Sequence, residues 1–162
     1  MSPEAIIVEA LTEADRGWAD EWLTRYWGSP RIVSNGVMHD LSTAPGVIAW
    51  VDGARAGMLN YDIAGGSMEI TSLFSIMDGI GVGTALIQAA LDGARQMGLR
   101  RVWLVTTNDN TRAMRFYQRR GFTIAAVRLN QLELSRRLKP ELALTGDDDI
   151  PLRDEFEFEV LL

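Results

Sequence analysis

The chain has no cysteine and a single histidine among its 162 residues. Without thiols it has no disulfide framework, no thiolate metal ligand and no cysteine nucleophile. One histidine excludes a multi-histidine metal site, and no metal is expected. Basic residues are the minority, 16 against 22 acidic ones, which leaves a formal net charge of −6. The basic footprint of a general nucleic-acid binder is therefore missing. An anionic ligand would have to be held by local groups, because the overall field does not attract it. No apolar run reaches the roughly 18 residues of a membrane span. Met1-Ser2-Pro3-Glu4 lacks the basic and apolar regions of a signal peptide, so a cytoplasmic location without a membrane partner is expected. Repeats, linkers and low-complexity tracts are also absent, and residues 1–162 are expected to form a single domain.

What the chain does have is glycine in an informative place. Asp78-Gly79-Ile80-Gly81-Val82-Gly83-Thr84 alternates three glycines over five positions. A β-rich run, Met68 to Ile76, precedes it, and a helical pattern from Thr84 to Met97 follows. Glycine lets backbone N–H groups converge on an anion with no Cβ in the way. The start of the next helix adds partial positive charge. Strand, glycine turn and helix read as a phosphate cradle. A nucleotide P-loop would need Lys and Ser/Thr directly after the last glycine, and Thr84-Ala85 stand there instead. The dinucleotide fingerprint needs G-x-G-x-x-G, and Gly79, Gly81 and Gly83 have the wrong final spacing.

Around this centre the pattern alternates strands and helices. Ala5 to Ala10 reads as a strand, followed by a helix with Trp18, Trp22, Leu23 and Tyr26 on one side, ending at Gly28. Ser29 to Gly36 reads as a turn-rich segment. Val47 to Val51 and Ala56 to Ile63 flank an Asp52-Gly53 hairpin turn. Arg101 to Thr106 is a buried strand. Thr111 to Arg119 is a short helix capped by Asn110. Phe122 to Leu129 is a strand and Leu132 to Leu138 a helix. Arg153 to Leu162 is a last strand, with Phe156, Phe158 and Val160 on one face and Glu155, Glu157 and Glu159 on an opposite, polar face. Phe156 and Phe158 would serve either the core or the contact of a homodimer. Early hairpins followed by strand–helix alternation predict an α/β fold with a mixed sheet and helices on both faces.

Two blocks of sequence resemble the GNAT N-acetyltransferase superfamily. Its glycine signature, Q/R-x-x-G-x-G/A, is matched as Asp78-x-x-Gly81-x-Gly83. Its second signature, N-x-x-A-x-x-[FL]-Y-x-x-x-G-F, is matched as Asn110-x-x-Ala113-x-x-Phe116-Tyr117-x-x-x-Gly121-Phe122. The glycine loop alone is a weak signal, and the second block downstream makes the pair specific. The chain departs from the family at Asp78, an acidic residue where relatives carry Arg or Gln, and the stretch from Leu73 to the loop is shorter than usual. Arg112 and Arg115 are the nearby candidates for the missing charge.

The resemblance implies a GNAT, or acyl-CoA N-acyltransferase, fold: a mostly antiparallel twisted sheet whose two central parallel strands splay apart. It implies acetyl-CoA as co-substrate in that gap. Backbone amides of Gly79, Ile80, Gly81, Val82, Gly83 and Thr84 would hold the pyrophosphate, Phe74, Ser75 and Ile76 would pair with the pantetheine, and Asn110 would contact the cofactor. Acetyl would pass to a primary amine by direct attack, which suits a chain without cysteine. Tyr117 matches the tyrosine that protonates the departing thiolate, and Glu69 stands where many relatives place an acidic base. Trp27, His39 and Glu155 are candidates for the acceptor side, and a small-molecule amine is the expected partner. The alternatives are a CoA-binding sensor without turnover and an acyltransferase using a longer acyl-CoA.

Overall fold

The computed structural model describes residues 5–162. In chain order the elements are β1 (Ile6–Ala10), α1 (Arg16–Trp27), β2 (Arg31–Ser34), β3 (Val37–Asp40), β4 (Gly46–Val51), β5 (Ala54–Ala64) and β6 (Ser67–Ser75). Then come α2 (Val82–Gln96), β7 (Arg101–Thr107), α3 (Thr111–Gln118), β8 (Thr123–Arg128), α4 (Gln131–Leu138) and β9 (Glu155–Leu161). Seven strands form one sheet in the order β1-β4-β5-β6-β7-β9-β8, and β2 and β3 form a separate hairpin.

Every pairing in the large sheet is antiparallel except β6 with β7. That parallel register runs from Ser67↔Arg101 to Ile70↔Leu104 and stops. Beyond it β6 continues to Ser75 bonded only to β5, while Val105 to Thr107 of β7 pair only with β9. The two central strands therefore part, as the fold class requires. A bulge coincides with the parting: Asn60 faces Ser72 and Tyr61 faces Ile70, so Thr71 is the extra residue. An inserted residue moves the following side chains to the other face. Met68 and Ile70 accordingly pack with α2, while Phe74 joins Ala19 and Leu23 of α1 and Met58.

Helix α2 is anchored by Val82, Leu86, Ile87, Ala90, Leu91 and Ala94, all buried at helical spacing. Each large side chain among them contributes roughly 1.5–3 kcal/mol by leaving water. That burial fixes where the N-terminus of α2 points. On the other face Trp18, Trp22 and Tyr26 of α1 stack around Phe74, with ring centroids 5.7, 6.5 and 5.2 Å away.

One expectation needs correction. The segment read as turns from Ser29 to Gly36 contains β2 and starts the tight turn into β3, the strand that carries His39. The Asn35-Gly36 turn has φ of 50° and 75°, the left-handed pair that closes a two-residue hairpin. The polar face of β9 is buried: Glu155 is 2% exposed and Glu157 8%. Arginines from β7 and β8 cover that face, which makes the alternation of β9 one buried face against another. Phe158 of the same strand is fully buried in the core.

Candidate active site

The glycine turn is built from backbone that only glycine adopts freely. Gly79 and Gly81 have φ of 78° and 92°, and Gly81 caps the start of α2. The first bond of α2 runs from the Ala85 N–H to the Gly81 carbonyl, at 3.0 Å. The N–H groups of Val82, Gly83 and Thr84 therefore have no intrahelical partner and sit at the positive end of the helix. Gly83 is required for a different reason: a Cβ there would lie 3.1 and 3.2 Å from the Phe116 ring of α3. The two helices meet at contact distance only because position 83 carries no side chain.

Between them opens a cavity of about 530 Å³. One wall is the diverging end of β6 (Leu73, Phe74, Ser75), the floor is the glycine turn, and the other wall is α3 with Asn110, Ala113, Phe116 and Tyr117. Asn110 caps α3 by accepting the Ala113 N–H at 3.1 Å. Tyr117 packs edge-on against Phe116 and Phe122, with centroids 5.3 and 5.7 Å away. Burial pushes its phenol pKa up, so it stays protonated throughout the working pH range and able to donate. Arg120 closes the rim. Its Nε and Nη2 donate to Thr84 Oγ1 at 2.9 and 2.7 Å, and its Nη1 donates to the Phe116 carbonyl at 2.9 Å.

The opposite side of the parting carries carboxylates. Glu69 Oε1 accepts the Ser34 hydroxyl at 2.6 Å, and Glu69 Oε2 lies 3.6 Å from His39 Nε2. Glu155 Oε1 accepts the Asn35 N–H at 3.3 Å. Consecutive residues at the tip of the β2–β3 hairpin thus hold two buried carboxylates. Burial raises the Glu69 pKa, against the Ser34 bond and His39, and Asp62 and Glu157 push it further up. Burial likewise raises Glu155, to about 7, opposed by the Asn35 N–H and Arg128 and reinforced by Glu69. Glu157 behaves differently. Burial acts upward on it too, but bonds from Arg128 and Arg101 outweigh that and leave its pKa low. A second cavity of about 360 Å³ borders this cluster, lined by β3 with His39, by Tyr61 and Asp62, and by the bulge residue Thr71.

The sequence model of the Acetyltransferase (GNAT) family matches residues 8–122. The chain belongs to that family. It is an acyltransferase by that membership, and the fold agrees. It is 36% identical over 158 residues, 97% of this chain and 99% of the other, to the uncharacterized protein YdhI of Bacillus subtilis (strain 168). A shorter match, 39% over 62 residues, covers 38% of this chain and 20% of the mycothiol acetyltransferase of Geodermatophilus obscurus. Among solved structures, an acetyltransferase of Bacillus subtilis in complex with CoA superposes with a TM-score of 0.72 at 17% identity, covering 98% of this chain and 99% of that one. A GNAT acetyltransferase from Elizabethkingia anophelis with acetyl-CoA bound gives 0.70 at 15%, covering 97% and 98%. At such identities these structures establish the shared fold.

Within this GNAT fold the residues singled out in the sequence fall into two groups. Phe74, Ser75, Gly79, Gly81, Val82, Gly83, Thr84, Asn110 and Tyr117 line the larger cavity. Glu69, His39 and Glu155 gather beneath the hairpin. Three lie elsewhere. The Ile76 N–H is already bonded to the Ala56 carbonyl at 2.9 Å, and its side chain packs on the α1 side. Ile80 is exposed and outside the cavity lining. Trp27 borders neither cavity and packs against Tyr26 and Phe74, with centroids 5.6 and 6.3 Å away. Sequence reasoning missed Ser34, Asn35 and Arg120. The Asn35-Gly36 pair was the available signal for the first two, and Arg120 stands inside the second motif, directly before Gly121.

No helix among the described residues is long and apolar enough to cross a membrane, and no cluster of three or more His, Cys, Asp or Glu there is arranged to hold a metal ion.

Proposed function

We propose that the protein transfers an acetyl group from acetyl-CoA to the primary amine of a small, cationic acceptor by direct attack. The observation that carries this reading is the parting of β6 and β7. It leaves a cavity that begins at unpartnered helix N–H groups and passes Tyr117, while Glu69, a buried carboxylate, stands on β6 among the last parallel pairs. The cradle fits a pyrophosphate, because the N–H groups of Val82 to Thr84 are free of helix partners and lie at the positive end of α2. When bound, acetyl-CoA supplies an activated thioester.

The chain's own residues supply the rest. Glu69 accepts the proton that the acceptor amine sheds, directly or through a water. Its raised pKa brings it toward the basicity that such a base needs at neutral pH. The Tyr117 phenol gives a proton to the departing thiolate, so one proton enters and one leaves as the C–N bond forms and the C–S bond breaks. Phe74 and Ser75 receive the pantetheine arm, a role supported by their lack of a strand partner on the β7 side. A positively charged acceptor suits Glu69, Glu155 and Asp62 together with the overall net charge of −6. Neither nucleic acid nor membrane is needed, and a cytoplasmic location belongs to this reading.

A thiol-release assay with acetyl-CoA against a broad panel of amines tests it, with longer acyl-CoA donors run alongside. Release of CoA thiol in step with acetylated amine is the expected result. Asp78 on the cavity rim favours one second reading, a CoA-binding sensor without turnover. Thermal stabilisation by CoA with no thiol release for any amine would support that reading over catalysis.

A further inference from the structure

The acetyl-CoA reading leaves a gap at the glycine turn, and the inference here rests on that reading. Asp78 stands on the cavity rim, exposed, where the family signature has Arg or Gln. A pyrophosphate would then meet backbone dipoles beside a negative side chain. We infer that Arg120 is the pyrophosphate-binding arginine of this protein, with the positive charge moved from the loop to the end of α3.

Three observations carry this. The first is position. The Arg120 guanidinium bonds through two of its nitrogens to Thr84 Oγ1, and the Thr84 N–H belongs to the same free first turn of α2. The guanidinium is therefore one hydrogen bond from the anion cradle, and Arg120 lines the same cavity.

The second is electrostatic. A cation beside the positive end of a helix is unfavourable by itself. Among the described residues no carboxylate pairs with Arg120. Burial lowers its pKa, and the like-charged Arg119 lowers it further. Two positive features face one another with nothing negative between them. An anion between the two would convert that repulsion into two attractions.

The third is preorganisation. The guanidinium lies 3.6 Å from the Phe116 ring centroid, and Nη1 is held by the Phe116 carbonyl at the negative end of α3. An arginine has five N–H donors. Three are used here, leaving one on each terminal nitrogen, the planar fork that suits phosphate oxygens. Arg112 lines the cavity as well, but it makes no bond that ties it to the α2 turn.

Arg120 could instead serve only as a strut between α2 and α3, and the experiment separates the two roles. Binding of CoA and of dephospho-CoA, which keeps the pyrophosphate and lacks the 3′-phosphate, is measured by calorimetry on the full chain and on Arg120→Gln and Arg120→Lys. Gln keeps a donor for Thr84 and removes the charge, whereas Lys keeps the charge and loses the fork. Arg120→Gln is expected to weaken both ligands by the same factor, about tenfold to a hundredfold. Lys should recover part of that loss, and the urea midpoint of the Gln variant should stay close to wild type. Unchanged CoA affinity in the Gln variant overturns the assignment. A loss seen with CoA and absent with dephospho-CoA also overturns it, in favour of the 3′-phosphate. A loss matched by a fall in urea midpoint in both variants makes Arg120 a strut. If the wild-type chain binds neither ligand, the acetyl-CoA reading itself fails, a result distinct from any variant-specific outcome.

Discussion

Tyr117 and Glu155 show how burial shapes the work a side chain can do. Tyr117 is packed among Phe116, Phe122 and Phe158. Desolvation keeps its phenol neutral, so it can give a proton and does not accept one at working pH. Tyr117→Phe removes that single proton while keeping the ring packing. The expected outcome is a fall in kcat of roughly 10²-fold or more with the KM for acetyl-CoA little changed. A steady-state comparison that finds kcat intact would remove Tyr117 from the mechanism. Glu155 gives a stability prediction of definite sign. Its folded-state pKa of about 7 lies above the unsuppressed value of 4.5, with burial as the main cause. Between those values the folded chain holds a proton that the unfolded chain has released, so stability from this residue is lost as pH rises through 7. Glu69, Arg128 and the Asn35 N–H already enter that value. Glu155→Gln should therefore raise Tm relative to wild type more at pH 8 than at pH 5. A difference that shrinks with rising pH would contradict the buried-carboxylate account.

At the scale of elements, the long periodic segments were legible in the sequence and the short paired ones were not. Helix α2 announced itself by the spacing of Leu86, Ala90 and Ala94, and the glycine turn by its alternation. The β2–β3 hairpin was read as turns because each strand has only four residues, too few for alternation to show. Its one clear signal, Asn35-Gly36, was absorbed into the turn. The period and polarity of β9 are legible in the sequence, and the burial of its polar face is not. Glutamates at every second position signal a solvated face unless arginines on neighbouring strands meet them, and sequence does not say that β7 and β8 will flank β9. The α2–α3 contact supplies a prediction that belongs to elements. Gly83→Val places a branched side chain against the Phe116 ring, which a bare Cβ would already approach to 3.1 Å. Overpacking of this kind costs about 1–3 kcal/mol. The urea midpoint should fall accordingly, and CoA affinity should fall with it, because α3 must move away from the cradle. A Gly83→Val variant with wild-type stability and affinity would mean that α3 is free to yield.

For the whole molecule the decisive feature is the parting of the sheet, which the sequence could imply only through family resemblance. The sheet is two halves: β1, β4, β5 and β6 on one side, β7, β9 and β8 on the other, joined by a parallel register from Ser67↔Arg101 to Ile70↔Leu104. Strand pairing of that length is a short backbone link, and beyond it no strand of one half bonds to a strand of the other. A ligand lying in the gap would bond to backbone that neither half can satisfy alone, and would join them. Acetyl-CoA at a hundredfold excess over its dissociation constant should stabilise the fold by about 2.7 kcal/mol. For a chain of this size that is a rise in Tm of about 5–10 °C. Hydrogen exchange locates the effect. Protection should increase at Leu73 to Ser75 of β6 and in the first turn of α2, while the β1–β4 pairing at the far edge stays as it was. Uniform protection across all strands would instead indicate general stabilisation, and the gap between β6 and β7 would not then be where acetyl-CoA acts.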